Sequence, residues 1–76
     1  MRRYSVLLIP DAENAGYSVK VPALPGLNTE GDTLDEALAN ARDAIHLYLD
    51  QLESEGAPIP EEIRPLELTS VEVYRE

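Results

Sequence analysis

Residues 22–37, PALPGLNTEGDTLDEA, carry a turn, a strand and a helix start in immediate succession, and they decide the fold. Within Leu24 to Leu27, Pro25 stands where a type II turn fixes φ, and Gly26 stands where it demands positive φ. The chain reverses there. Leu27 to Glu30 then reads as a short third strand at an edge, with Gly31 and Asp32 as its exit. Thr33 to Glu36 matches a capping box. Its Thr hydroxyl and Glu carboxylate each satisfy a backbone N–H that the first helical turn leaves unpaired.

Upstream, Tyr4 to Ile9 puts Tyr4, Val6 and Leu8 on one face and Leu7 and Ile9 on the other. Both faces are apolar, which predicts a central strand with cover on each side. Pro10 ends it, and the polar stretch from Asp11 to Gly16 makes a turn. Tyr17, Val19 and Val21 then alternate with Ser18 and Lys20 in a half-buried strand closed by Pro22, so the first two strands form an antiparallel hairpin.

Downstream, Leu34, Leu38, Ala41, Ile45, Tyr48 and Leu52 recur at spacings of four and three, widened by Ala37 and Ala44. One helix face therefore packs on the sheet. Gly56 provides the left-handed residue that ends the helix, and Pro58 and Pro60 prevent its continuation. Leu66 to Tyr74 is the last strand. Its apolar parity changes between Leu66 and Leu68 on one side and Val71 and Val73 on the other, which predicts a bulge or late start near Thr69 and Ser70.

The element order β-β-β-α-β defines an α+β fold. A last strand beside the first, reached by a right-handed crossover through the helix, gives sheet order 3-2-1-4 with one helix on one face. The face opposite the helix then needs cover from the segment Pro58 to Leu68 or from a second subunit. A homodimer or larger oligomer is expected.

Composition narrows function. At 76 residues the chain is one small domain, of the size that buries only about 60% of its unfolded surface. No run approaches the roughly 18 apolar residues of a membrane span, and the start does not read as a signal peptide, so a cytoplasmic protein is expected. Cysteine is absent, which excludes disulfides, thiolate catalysis and Cys-based zinc sites. Fifteen acidic residues against six basic ones give a net charge of −9, a surface that repels phosphates. Direct nucleic-acid binding is therefore not expected, and a basic protein is the natural partner for such a field. One Met, one Gln and six prolines fit a heat-adapted source, although on so short a chain they decide nothing.

No catalytic or metal constellation is visible, and no cofactor is expected. His46 lies off the apolar stripe without a Ser or Cys partner, and reads as a solvated helix residue. His46 and Asp50 stand at i, i+4, yet a metal site wants at least a third ligand. The glycines form no phosphate loop, and the first strand has no interior carboxylate for a metal-dependent nuclease. The protein is not expected to be an enzyme.

The helix itself is unusual in charge. Asp35, Glu36, Asp43, Asp50, Glu53 and Glu55 face a single Arg42, and the acids near its C-terminus oppose the helix dipole. Glu36, Asn40, Asp43, Leu47 and Asp50 share a stripe away from the core, which sets an apolar Leu47 among carboxylates. That stripe is the candidate partner-binding surface. A solvated face carrying one exposed leucine is the plainer reading.

Tyr17 and Val19, then Pro25 and Gly26, Thr29, Gly31 to Leu34, Glu36 and Ala37, Ala41 and Arg42, Tyr48 and Leu49, and Glu55 and Gly56 with Pro58 and Pro60 together resemble the HicB antitoxin family in order and spacing. Leu27 follows the Pro-Gly turn where the family often has Cys, a swap that keeps an apolar anchor. The resemblance implies a partial RNase H-like domain without RNase H catalysis, spanning residues 1–76 as a short form with no C-terminal DNA-binding domain. It implies neutralisation of a basic HicA-type toxin, which cleaves mRNA, by protein contact. On that pattern Pro25, Gly26, Gly31, Asp32, Thr33 and Gly56 are structural. A homo-oligomeric binding or scaffold domain with no toxin partner is the alternative.

Overall fold

The computed structural model describes residues 2–62 and 66–75. Met1, Ile63, Arg64, Pro65 and Glu76 lie outside the described residues, and with them the middle of the expected Pro58 to Leu68 cover. Four elements follow in order: β1 (Leu7–Pro10), β2 (Tyr17–Lys20), β3 (Asn28–Gly31) and α1 (Leu34–Ser54). The sheet runs β1-β2-β3 with both pairs antiparallel, and Val19 sits opposite Leu8 on one side and Thr29 on the other.

Local chemistry makes the connections. In the β1–β2 turn the Asp11 carboxylate accepts the backbone N–H groups of Glu13 at 2.8 Å and Asn14 at 3.2 Å. These two donors hold its carboxyl below the usual range. The Leu27 N–H closes the next turn on the Leu24 carbonyl at 3.2 Å, with Gly26 at φ 85°. At the helix start the Thr33 hydroxyl accepts the Glu36 N–H at 3.1 Å. The Glu36 carboxylate reaches the Asp32 N–H at 3.3 Å, one residue earlier than the reciprocal bond of a capping box would require. At the other end Gly56 and Ala57 donate to the Glu53 and Leu52 carbonyls at 3.1 and 2.9 Å, a Schellman closure with Gly56 at φ 68°.

The core forms between helix and sheet in two clusters. Val19, Ala37 and Ala41 make one, flanked by Val6, Leu8 and Tyr17. Val21, Leu24 and Leu27 make the other, flanked by Tyr4, Ile45, Tyr48 and Leu49 among others. The alternation expected for β2 therefore holds, and the turn itself supplies fully buried Leu24. The helix approaches β3 so closely that a Cβ on Gly31 would lie 2.4 Å from the Ala37 nitrogen. Glycine is required there by contact with backbone.

β1 begins at Leu7, includes Pro10 and forms an edge of the sheet with Leu7 and Ile9 each 41% exposed, where a central strand from Tyr4 to Ile9 covered on both faces was expected. Two further features differ from the sequence reading. The buried line of α1 is rotated: Leu34 and Leu38 stay 46% and 40% exposed, while Leu49, outside the expected stripe, packs on the second cluster. The helix packs over β2 and β3, so its Leu34 and Leu38 flank overhangs β1.

The second difference is that residues 66–75 carry no strand, where Leu66 to Tyr74 was expected to complete the order 3-2-1-4. Leu68 and Tyr74 are fully open to solvent at 97% and 104%. The radius of gyration is 15.1 Å, against about 11 Å for a compact chain of this length. The reason lies just upstream. The Tyr4 hydroxyl donates to the Pro60 carbonyl, and Glu62 Oε2 accepts the Ser5 N–H at 2.6 Å together with the Ser5 hydroxyl. A carboxylate thus occupies the edge beside Ser5, where this chain's own last strand would have to enter, while among the described residues the outer edge of β1 keeps no strand neighbour.

Candidate functional site

The two flanks of α1 differ in chemistry. On the flank beside β3 lie the five stripe residues, and the structure divides them by task. Asn40 Nδ2 donates to the Glu30 carbonyl at 2.7 Å, and Glu36 bonds the Asp32 backbone, so both tie the helix to the end of β3. Asp43, Leu47 and Asp50 are exposed, with Leu47 71% open. Leu47 also borders a shallow hollow of about 380 Å³ with Ala44, Tyr48 and Leu52. Tyr48 is fixed there by its hydroxyl, which donates to the Pro25 carbonyl at 2.9 Å. The exposed leucine is therefore the rim of an apolar recess, with Asp43 four residues before it and Asp50 three residues after it on the helix.

No basic residue offsets the acids in the last turn of α1, and Gln51 bonds Glu55 there at 3.2 Å. An acidic surface with an apolar recess can seat an apolar side chain of a basic protein while its cations meet Asp43 and Asp50. Buried anchors of that kind carry most of the energy of protein interfaces, and surrounding charges govern encounter and choice of partner. Among the described residues no three His, Cys, Asp or Glu side chains gather as a metal site requires. No helix there is long and apolar enough to cross a membrane.

On the flank beside β1 the sequence reading missed a larger cavity, about 700 Å³, between the N-terminal segment and the helix. Its floor is apolar, from Tyr4, Val6, Leu38, Ile45 and Leu49. Its rim carries Arg2, Arg42 and His46. Two of the six basic residues in an acidic chain thus meet at one slot. The available signal was the spacing of Leu38, Arg42 and His46 at i, i+4, i+8. Arg2 comes from the far end of the sequence and gave none. Pro25, Gly26, Gly31, Asp32, Thr33 and Gly56 all sit at turns, at the close β3–helix approach or at helix ends.

Residues 4–75 match the family described as HicB-like antitoxin of bacterial toxin-antitoxin systems. Among similar proteins is a UPF0150 protein of Synechocystis sp., 38% identical over 68 residues that cover 86% of this chain and 85% of that one. Another is a UPF0150 protein of Thermoplasma acidophilum, 43% identical over 58 residues, 76% and 83% of the two chains. A second Synechocystis UPF0150 protein is 40% identical over 63 residues, 82% and 88%.

Proposed function

This chain belongs to the HicB-like antitoxin family, and on that premise we propose that it neutralises a small basic HicA-type toxin, an mRNA-cleaving ribonuclease, by binding and masking it in the cytoplasm. The observation that carries the reading is the β3 flank of α1, where exposed Asp43 and Asp50 stand one helical turn either side of Leu47, which borders the recess. Acids placed where they oppose the helix dipole cost stability, by a few tenths of a kcal/mol each, roughly, and a partner's cations offset that cost. Neutralisation proceeds by contact alone, with no bond made or broken by this chain. The same charge makes direct binding to nucleic acid unfavourable.

Self-association belongs to the same reading. Leu7 and Ile9 are each 41% exposed on the sheet face opposite the helix, and the edge of β1 has no neighbouring strand among the described residues. In the homodimer or larger oligomer a second subunit covers that face, and the order 3-2-1-4 of a partial RNase H-like domain requires a fourth strand beside β1.

Co-expression with a basic HicA-type protein from the same genome tests the function. Growth restored relative to the toxin alone supports it. Continued arrest with this protein soluble and abundant favours a homo-oligomeric scaffold with no toxin partner.

A further inference from the structure

We propose that residues 66–75 form the missing fourth strand in a second copy of this chain, so that two copies exchange tails reciprocally, each filling the other's slot beside β1. The inference rests on the homodimer reading and adds what the partner copy contributes.

Three observations meet. The slot has an apolar floor and a rim of Arg2, Arg42 and His46. The tail, Leu66-Glu67-Leu68-Thr69-Ser70-Val71-Glu72-Val73-Tyr74-Arg75, interleaves apolar residues with Glu67 and Glu72, and its apolar side chains are open to solvent. An apolar strand bearing carboxylates is the chemical complement of that slot. A strand seated there beside Tyr4 and Val6 and continued past them would run along β1, which among the described residues has a strand neighbour only on its β2 side, and would remove an aggregation-prone edge.

Chain length argues against the tail filling its own slot. Glu62 already lies level with Ser5, to which it is hydrogen bonded. Four residues further, in parallel, Leu66 would lie level with Ile9, and β1 ends at Pro10. Val71, Val73 and Tyr74 would then run past the sheet with nothing to pair. Ten extended residues span about 33 Å, enough to reach a second molecule. The long axis of the chain, 54 Å against 27 and 20 Å, agrees with a tail directed away from its own body. A twofold arrangement satisfies both slots and closes the assembly.

The test uses the full chain in two measurements. Light scattering should give twice the 8.4 kDa chain mass. Isotope-filtered NOE spectra of a one-to-one mixture of labelled and unlabelled protein should then show intermolecular contacts between the methyl groups of Val71 or Val73 and those of Leu38 or Ile45. In a Val71→Lys, Val73→Lys double variant the mass should halve while the helical signal persists. A monomeric wild-type chain overturns both the exchange and the homodimer. A dimer whose tail-to-slot contacts are all intramolecular overturns the exchange and leaves the homodimer standing.

Discussion

The two edges of this small sheet are built to opposite ends. At the β3 edge the helix closes on the end of the strand: Gly31 admits the Ala37 backbone, Asn40 bonds the Glu30 carbonyl, Glu36 accepts the Asp32 N–H and Thr33 caps the helix. At the β1 edge the helix overhangs a slot, Leu34 and Leu38 are half exposed, and Glu62 stands in for a strand. The exposed charges also differ, with Asp43 and Asp50 on the closed flank and Arg2 and Arg42 at the slot of the open one. A closed edge holds a recognition surface in fixed geometry. On our proposal the open edge is the place where a second copy adds.

Substitutions at the two edges should therefore differ in kind. The largest effect is expected for Gly31→Ala, whose Cβ would meet the Ala37 nitrogen and Cα at 2.4 and 2.6 Å. Both atoms are backbone, so the helix must move, and a loss of about 3 kcal/mol or a failure to fold is expected in urea denaturation. Leu24→Ala should follow at about 2–5 kcal/mol, because that side chain is fully buried. Leu38→Ala, made in the Val71→Lys, Val73→Lys background to remove any exchanged strand, should cost less than about 1 kcal/mol, since Leu38 is 40% exposed in the single chain. Equal losses for Leu24 and Leu38 would erase the distinction between the edges.

Thr33→Ala should cost about 1 kcal/mol, the usual value of an N-cap, measured by the same melts. The smallest effect belongs to Asp11, whose carboxyl is held below its ordinary range by the Glu13 and Asn14 N–H groups. A depressed folded-state value stabilises the fold above the unfolded carboxylate pKa of about 3.9, and the contribution falls away as the pH drops below it. Asp11→Asn should flatten the acid limb of the stability profile slightly, measured as melting temperature between pH 6 and pH 3.

Much of the closed edge was legible in the sequence because its signals are local. Thr33, Gly26 and Gly56 each announce a backbone geometry within four residues of themselves, and each adopts it. The parity of Tyr17, Val19 and Val21 likewise placed the core face of β2. The open edge was not legible for the opposite reason. Periodicity gives the angle of an apolar stripe on a helix, yet it does not say where the sheet beneath it ends, so Leu34 and Leu38 looked as buried as Ala41. The alternation in Leu66 to Tyr74 reads as a strand, but alternation does not supply a neighbour, and among the described residues none pairs with it. Within the candidate site, helical spacing groups the five residues of the stripe but does not assign their tasks. That Glu36 and Asn40 serve the helix–β3 joint became visible only with Glu30 and Asp32 in place.

On our proposal the closed, acidic flank recognises a basic toxin. The most direct measurement is the affinity of a HicA-type protein from the same genome for the wild-type chain and for an Asp43→Lys, Asp50→Lys variant, titrated at low and high salt by calorimetry. The account predicts binding that weakens as salt rises, and at least a tenfold loss in the variant at low salt with its melting temperature unchanged. Equal affinity of the two proteins, or binding indifferent to salt, would contradict it.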